Sequence, residues 1–367
     1  NLMEFFLPVA QVQINVIIIL FLSFCVGLIS GLFGIGGGFL MTPVLIFLGI
    51  PPAFAVANEA NNILGTSVSG ALTHWFRKTL DYKMGSMIVL GGLGGTMIGM
   101  FVFHQLSELG IINQIIALAY IYMLVIIGTL MFAKGASEII NVKKNIIVKR
   151  KAHTHYWIHG LPFRMRFQKS KLYESAIAPI FLGLVVGIFA SIMGVGGAFL
   201  MIPAMIYIIG MPTKLVPGTS LFVTIFITAM VVVGHALQFK TIDFVLVLTL
   251  ISGSIIGLHI GHKLSQKLNA SEYKTLLAIL LLGVGLMMGI ETLVLGSDEN
   301  LFIDGVSGKI DTKLAEIIFL LSNNYPITYA FLSIIIVVII GISFSYAREL
   351  VHYMRYNVDK KKYNIFN

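Results

Sequence analysis

Long apolar runs constrain this chain more than any other feature. The hydrocarbon core of a bilayer, about 30 Å thick, requires about 20 apolar residues of helix, and runs of that length recur between residues 14 and 346. Only 11% of the residues are charged and the mean hydropathy is +0.93, whereas soluble domains carry about 25% charged residues. The sequence therefore predicts an all-α polytopic membrane protein and excludes a soluble globule.

The formal net charge of +9 does not indicate nucleic-acid binding, because the basic residues are concentrated in two short segments. Residues 134–175 and the tail 348–367 are rich in Lys and Arg, so both are expected in the cytoplasm. The intervening loop 296–325 is acidic and is expected on the opposite side. Aromatic residues alternate with the basic residues in 157–173, a pattern that favours contact with anionic lipid headgroups.

An internal duplication divides the apolar part of the chain. Gly-Ile-Gly-Gly-Gly-Phe-Leu-Met-Thr-Pro at 34–43 aligns with Gly-Val-Gly-Gly-Ala-Phe-Leu-Met-Ile-Pro at 194–203, identical at seven of ten positions. The alignment continues through equivalent His, Lys-Thr-x-Asp and Gly-x-x-x-Gly residues. Each glycine motif precedes an apolar segment of only 12 or 13 residues, too short to span a membrane as a helix. We expect two repeats that each contain a short, broken helix.

The charge bias gives each repeat an odd number of crossings, so we expect two repeats of inverted topology and one additional C-terminal transmembrane helix. The alternative is that the short segments are re-entrant, which would make the repeats even and parallel and place the basic tail outside, an arrangement that the charge bias disfavours. Inverted repeats with glycine-interrupted helices at corresponding positions are typical of secondary transporters. The expected organisation is a first repeat, a basic cytoplasmic linker, a second repeat, an acidic external loop, a C-terminal helix and a basic tail: 1–133, 134–175, 176–295, 296–325, 326–347 and 348–367.

The glycine motifs are the first candidate binding elements. Glycine permits tight turns and close approach of another group, and the free N–H groups at the start of the following helix favour anions. The candidates are Gly36, Gly37, Gly38, Gly196, Gly197 and Ala198. The alternative interpretation is close packing of helices through small residues.

Polar residues within the predicted spans are the second set of candidates, because buried polar groups in a membrane face the protein interior or a water-filled cavity. Thr66, Ser67, Thr219 and Ser220 are candidate hydrogen-bond donors to a substrate, or alternatively link helix to helix. Glu59 is a candidate proton or cation coupling residue, since its equivalent in the second repeat is Ser220.

His74 and His235 end equivalent helices and are further candidates for coupling or anion contact. No metal site or cofactor is expected, because the single cysteine and the spacing of the histidines provide no ligand set. An intramembrane serine hydrolase is disfavoured, since Ser69 lacks the Gly-x-Ser-Gly context.

The duplicated glycine motif, followed by Gly-x-Pro and a polar helix ending Ser-Val-Ser-Gly-Ala-Leu-Thr-His at 67–74, resembles the TauE/SafE family of sulfite exporter-like permeases. The resemblance implies transport of sulfite or an organosulfonate across the cytoplasmic membrane of a bacterium. The chain departs from the family pattern at Asn58 and Glu59, where a small pair is usual.

These observations together predict a secondary transporter that moves a small anion by alternating access between the repeats. An anion channel and a membrane protein without transport activity are the alternatives that the sequence leaves open.

Overall fold

We describe the protein from a computed structural model. It describes residues 4–7, 9, 13–33, 40–143, 162–212, 214–265, 279, 281–286, 289, 320–321, 324–340 and 342–343.

Helices account for nearly all of the described chain. In chain order we label them α1 (Val16–Phe33), α2 (Met41–Phe47), α3 (Pro52–Phe76), α4 (Tyr82–Glu108), α5 (Ile112–Lys143), α6 (Ile177–Met193), α7 (Ala198–Tyr207), α8 (Val216–Gln238), α9 (Phe244–Ser265) and α10 (Pro326–Ile340). The two predicted short segments are α2 and α7, with 7 and 10 residues. The expected all-α architecture with short broken helices is confirmed.

Within the described residues, four helices are long and apolar enough to cross a bilayer: Tyr82–Glu108, Ile112–Leu130, Val216–Gln238 and Phe244–Leu264. Shorter apolar helices occur at Val16–Leu32, Ile177–Met193 and Pro326–Ile340. The 25-residue α3 is absent from both sets, although it has the length to cross. Its interior carries a run of buried amide, carboxyl and hydroxyl side chains, which lowers its hydropathy.

Two pairs of helices pack through glycine faces. A Cβ built on Gly95 of α4 would lie 2.0 Å from the carbonyl oxygen of Leu184 in α6. A Cβ on Gly257 of α9 would lie 2.2 Å from that of Phe24 in α1. Glycine is therefore required at both positions for the backbones to approach this closely. On the outer side, α4 exposes large apolar side chains such as Phe101, as expected for contact with lipid.

The direction of packing follows from the order of these contacts. Along α4 and α6, Gly91 faces Ile180 and Gly95 faces Leu184, so the two chains run parallel. The α1 and α9 helices also run parallel: Gly253 faces Leu20, Gly257 faces Phe24 and Gly261 faces Leu28. Each contact in one pair corresponds, through the sequence alignment of the repeats, to a contact in the other. The first helix of each repeat thus packs against the fourth helix of the other.

The third helices of the two repeats, α3 and α8, pack against each other in opposite directions. A Cβ on Gly70 would meet Leu221 at 2.8 Å, and a Cβ on Gly218 would meet His74 at 2.8 Å. As the residue number rises along α3, it falls along α8. Near the middle of α3, Gly65 faces Ile251 of α9 and Val337 of α10.

Two small β-hairpins were not expected from the sequence. β1 (Glu4–Phe6) pairs antiparallel with β2 (Gln13–Asn15), directly before α1. β3 (Arg164–Phe167) pairs antiparallel with β4 (Leu172–Ser175), directly before α6. The hairpins occupy equivalent places in the two repeats, so the structural repeat begins upstream of residue 176. The predicted linker also overlaps α5, which continues to Lys143.

Candidate functional site

The candidate site lies where α3 and α8 cross, and a glycine turn of the second repeat reaches this crossing. The turn ends α6 at Gly194 and starts α7 after Gly197, and Gly194, Gly196 and Gly197 all have positive φ angles of 63–70°. This backbone conformation suits glycine and is unfavourable for other residues. The sequence requirement at these positions is therefore conformational as well as steric.

Gly196 is in contact with both crossing helices. A Cβ built there would lie 2.8 Å from Ile63 Cγ2 in α3, 2.8 Å from Thr224 Cγ2 in α8 and 3.0 Å from Thr228 Cγ2. The hydroxyl of Thr224 also donates to the Gly196 carbonyl oxygen at 3.3 Å. The predicted residues Gly196, Gly197 and Ala198 thus form a turn at the centre of the helix crossing, and Ala198 is fully buried.

The corresponding turn of the first repeat falls in 34–39 and lies outside the described residues. The predictions for Gly36, Gly37 and Gly38 therefore have no structural counterpart here. On either side of it, α1 ends at Phe33, the position equivalent to Met193 at the end of α6, and α2 begins at Met41.

The four predicted hydroxyl residues are all fully buried, but their hydrogen bonding differs. Thr66 donates to the carbonyl oxygens of Asn62 and Ile63 in its own helix, both at 3.1 Å. Thr219 accepts from a backbone N–H at 3.1 Å and donates to the Leu215 carbonyl oxygen at 2.8 Å. The hydroxyls of Ser67 and Ser220 have no hydrogen-bond partner among the described residues.

An unpartnered buried hydroxyl is costly, at about 1–3 kcal/mol, and most buried polar groups in proteins are satisfied. Ser67 and Ser220 lie on the two antiparallel helices of the crossing, one in each repeat. Each of the two hydroxyls can donate a hydrogen bond to a small polar molecule or to water. The predicted roles of Thr66 and Thr219 as donors stay predictions, since their hydroxyl protons are directed to main-chain oxygens.

Glu59 lies two turns of α3 before Ser67 and is fully buried. Its two carboxylate oxygens accept from the side-chain amide of Asn62, at 3.2 and 3.1 Å. The same amide contacts Ser254 Oγ in α9 at 3.1 Å, and Ser254 in turn donates to the Ser23 carbonyl oxygen of α1 at 3.3 Å. Within the described part of the chain, no Lys or Arg forms an ion pair with Glu59. Hydrogen bonds through the uncharged side chains of Asn62 and Ser254 therefore connect the Glu59 carboxyl group to the α1–α9 interface.

Two aspartates, Asp81 and Asp243, join the two repeats, a role that was not predicted from the sequence. Asp81 accepts from the Met84 N–H and caps α4, and its other oxygen accepts from the Ser170 N–H at 3.0 Å and the Ser170 hydroxyl at 2.5 Å. Asp243 caps α9 in the same way and accepts from the Val9 N–H at 2.9 Å. Each aspartate thus holds the hairpin that precedes the first helix of the other repeat.

The third helices complete these two symmetric clamps. The Asp81 N–H donates to Thr219 Oγ1 at 3.1 Å, and the Asp243 N–H donates to Asn58 Oδ1, at the equivalent position, at 2.7 Å. The signal for the clamps was present in the sequence, because Lys-Thr-x-Asp occurs at 78–81 and 240–243. What the motif alone did not show is the partner, which lies in the other repeat.

The two predicted histidines have different surroundings. His74 is partly exposed at the end of α3, where its Nδ1 lies 2.8 Å from Thr79 Oγ1. His235 is fully buried, with its Nε2 3.2 Å from the Ser191 carbonyl oxygen and its ring edge-on to Phe103 at a centroid distance of 4.7 Å. The pair is equivalent in position along the repeat but not in chemical environment.

The described residues contain no group of three or more His, Cys, Asp or Glu side chains arranged to hold a metal ion. The chemistry of the central region is that of hydroxyls, main-chain groups of a glycine turn and one carboxyl group.

Comparison with known proteins identifies a family and several related membrane transporters. Residues 19–288 match the family described as Sulfite exporter TauE/SafE. The probable membrane transporter protein YunE of Bacillus subtilis is 28% identical over 278 residues, covering 73% of this chain and 95% of that protein. The probable membrane transporter protein YjnA of the same organism is 26% identical over 276 residues, covering 74% and 98%. A probable membrane transporter of Methanocaldococcus jannaschii, MJ0441, is 23% identical and covers 74% and 94%.

No solved structure gives a significant match. The relatives are named as transporters and not as enzymes, and the apolar helices agree with a multi-pass protein of the cell membrane. Because the family match extends over most of the sequence, the chain belongs to the TauE/SafE family of membrane transporters.

Proposed function

We propose that this protein is a secondary transporter of a small oxyanion, sulfite or an organosulfonate, with its binding site at the α3–α8 crossing. The observation that carries the proposal is the placement of the glycine turn against both helices, at Ile63 and Thr224, each about one helical turn from an unpartnered hydroxyl, that of Ser67 or Ser220. A substrate that accepts hydrogen bonds would satisfy these donors.

The site favours an anion for an electrostatic reason. The first N–H groups of α7 follow directly on Gly197 and have no partner within their own helix. These groups carry the positive end of the helix dipole, which favours negative charge within about one turn. The sulfur chemistry comes from the description of the family, since hydroxyls and N–H groups suit any small oxyanion.

Alternating access is the mechanism that the helix directions support. Equivalent third helices run antiparallel, while the first helix of each repeat runs parallel to the fourth helix of the other. A pseudo-two-fold axis in the plane of the membrane relates helices in this way, and an axis along the membrane normal would make equivalent helices parallel. In an inverted-repeat transporter, one repeat rocks against the other around a central site. The proposed site lies close to the centre of the α3–α8 crossing.

Orientation follows from charge. The end of the bundle where α3 ends and α4 begins, which we call the α3 face, carries most of the described basic residues: Arg77, Lys78, Lys83, Arg164, Arg166, Lys169, Lys171, Lys214 and Lys263. The opposite end carries Lys240. We assign the α3 face to the cytoplasm, with residues 134–175 at the surface of the anionic leaflet.

Coupling is assigned to Glu59 as the first candidate. It is a fully buried carboxyl group without an ion-pair partner in the described structure, and intramembrane carboxyl groups commonly carry protons in transporters. Proton uptake at Glu59 would remove a negative charge from the helix that lines the anion site. His74 and His235 are the other candidates, and their different environments give them different roles in any proton path.

The test of transport is flux into proteoliposomes of radiolabelled sulfite, sulfoacetate and sulfate, with and without a pH gradient. Saturable uptake that responds to the gradient supports a coupled transporter. Uptake that does not saturate indicates a channel, and absence of flux for all three anions in folded protein contradicts the proposal.

A matched glycine pair tests the site itself. Gly196→Ala places a Cβ against both helices, whereas Gly210→Ala has an equally unfavourable φ of +75° but meets no atom within 4 Å. We expect Gly196→Ala to reduce flux at least tenfold and Gly210→Ala to leave it within about twofold. Equal flux from the two variants would show that the turn does not shape the site.

A second pair tests the topology. Lys78 and Lys240 are equivalent in sequence and share positive φ angles of 57° and 51°. In protein lacking Cys25, the only cysteine, Lys78→Cys and Lys240→Cys are each labelled with an impermeant thiol reagent from one side of the membrane. Inverted repeats place the two cysteines on opposite sides; labelling of both from the same side would contradict the inverted arrangement.

A further inference from the structure

We propose that a cluster of basic side chains at the α3 face captures small oxyanions before they enter the central site. The basic cluster comprises His74 and Arg77 of α3 and His259 and His262 of α9, with Ser69 at its inner end. The inference rests on the proposed transport function and adds to it a second binding site with a direction.

Contacts between the two helices hold the cluster together. Ser69 Oγ lies 3.0 Å from His259 Nε2, and Arg77 Nη1 lies 3.1 Å from His262 Nε2. The rings of His74 and His262 meet edge to face with centroids 5.9 Å apart. Since guanidinium is always a donor, His262 Nε2 accepts this bond and that ring is neutral in this arrangement.

The cluster forms a path between the centre of the bundle and its surface. Ser69 is fully buried, His74 and His259 are partly exposed, and Arg77 is exposed. Eight residues of helix separate Ser69 from Arg77, a rise of about 12 Å. Gly218 in the first turn of α8 packs against His74, and Ser220 of the proposed central site follows two residues later in the same helix. An anion at the cluster is therefore already beside the helix that binds it next.

The helices that surround the cluster bring no carboxylate to it. Neither α1, α8 nor α9 contains Asp or Glu, and the single one in α3 is Glu59, which lies fifteen residues, or about 22 Å, before His74. The Asp81 carboxylate is occupied by Ser170 and by its own helix. The other charged groups of these elements at this end are Lys78 and Lys263, both basic. Arg77 thus sets a positive potential, and protonation of the imidazoles adds to it.

The other repeat provides an internal comparison. By the alignment of the repeats, Ser69 corresponds to Met230, His259 to Met97 and His262 to Met100. His74 corresponds to His235, which is buried against Phe103 and bonded to a main-chain oxygen. His74 thus has a histidine counterpart, whereas the positions equivalent to Ser69, His259 and His262 are all methionine, so the Ser69–His259 and Arg77–His262 contacts have no equivalent at the opposite end.

An alternative explanation is that basic residues in the last turn of a helix offset the helix dipole. This explanation accounts for Arg77 and His262 as well as anion capture does. It does not account for His259, which lies earlier in α9 and contacts a buried serine of another helix. The combination of His259, its Ser69 partner and the apolar equivalents in the other repeat points to anion capture at the α3 face.

The test observes the histidines directly. Protein labelled with ¹⁵N-histidine is placed in nanodiscs and titrated with sulfite, sulfate, sulfoacetate and chloride, and the imidazole resonances of His259 and His262 are assigned with the His259→Asn and His262→Gln variants. We expect saturable shifts of both resonances with at least one oxyanion. We expect Arg77→Gln to raise the anion concentration at the midpoint of the titration at least tenfold. The matched Lys240→Gln, which removes one charge from the opposite end, should leave that concentration unchanged.

The outcomes separate the two proposals. Flux in proteoliposomes without histidine shifts would overturn the capture site and leave the central site in place. Histidine shifts without flux would support the capture site and remove the transport function. Equal midpoints for chloride and the oxyanions, or equal weakening by Arg77→Gln and Lys240→Gln, would overturn the capture of oxyanions at this cluster.

Discussion

Two neighbouring glycines of α4 should respond in opposite ways to the same substitution. Gly94 is exposed and a Cβ there meets nothing within 4 Å, so Gly94→Ala gains only helix propensity, about 1 kcal/mol. A Cβ on Gly95 would lie 2.0 Å from the Leu184 carbonyl oxygen, and real Cβ contacts are not closer than 3.0 Å, so α4 and α6 must separate by at least 1.0 Å. Overpacking typically costs about 1–3 kcal/mol. We use the upper value because the added Cβ meets the main chain of α6 at Leu184, which cannot move aside as a flexible side chain can.

The two alanine variants should therefore differ by about 4 kcal/mol in free energy of unfolding, with propensity and overpacking acting in opposite directions. This corresponds to a factor of about 10³ in the unfolding equilibrium. Reversible unfolding in mixed micelles by increasing mole fraction of SDS, followed by far-UV circular dichroism, measures the difference. Gly257→Ala, at the equivalent position of α9, should match Gly95→Ala, since its Cβ would lie 2.2 Å from the Phe24 carbonyl oxygen. Equal stability of Gly94→Ala and Gly95→Ala would refute the close backbone contact and the symmetric packing inferred from it.

Three further predictions concern the central site and the clamps. Glu59→Gln should abolish the pH dependence of anion flux between about pH 5 and pH 8, because the carboxyl group proposed to exchange the proton is gone; an unchanged pH profile would exclude Glu59 from coupling. Asp81→Ala should lower the free energy of unfolding in SDS by about 2–3 kcal/mol, since α4 loses its cap and Ser170 loses two bonds to a charged acceptor, and stability equal to wild type would argue against the clamp. Gly197→Val should eliminate flux while the protein still inserts, because its φ is +70° and a Cβ would lie 2.1 Å from Val186 Cγ1; normal flux would contradict close packing at the turn.

The sequence predicted the helices well because hydrophobic length and glycine punctuation are local signals. Apolar runs indicated every described helix, and the glycine motifs indicated that α2 and α7 would be short. The hairpins before α1 and α6 were not predicted. Their strands have only three or four residues, and the alternating Arg-Met-Arg-Phe of β3 lies in a basic, aromatic segment that also fits contact with lipid headgroups. Such strands are specified by what they contact, in this case Asp81 and Asp243, rather than by their own propensity.

The hydrogen bonding of the residues in the proposed central site could not be predicted from the sequence. Thr219 and Ser220 were equivalent candidates in the sequence, yet the structure directs Thr219 to the Asp81 N–H and leaves the Ser220 hydroxyl without a described partner. Adjacent residues on a helix point about 100° apart, so they face different neighbours. Because the neighbour of Thr219 comes from the other repeat, no pattern within α8 distinguishes the two. The same reasoning explains why His74 and His235, alike in sequence position, differ in burial.

Comparison of the two repeats distinguishes the residues that hold the helices together from the residues proposed to bind a proton or an anion. Residues that retain their identity or their role across the repeats form the main-chain contacts between helices and the aspartate clamps, as Gly95 and Gly257 or Asp81 and Asp243 do. A symmetric scaffold of this kind gives a protein two related arrangements of similar free energy, which alternating access requires.

Two differences between the repeats concern titratable residues within the helices: Glu59 corresponds to Ser220, and His259 and His262 correspond to Met97 and Met100. Two arrangements that are equivalent in packing can be made unequal only by such differences, because a ligand or proton shifts an equilibrium solely through its differential affinity for the two states. The proposed proton site at Glu59 and the proposed anion site at the α3 face each include residues that have no chemical equivalent in the other repeat. The asymmetric residues are therefore the ones that can give direction to a transport cycle whose scaffold is symmetric.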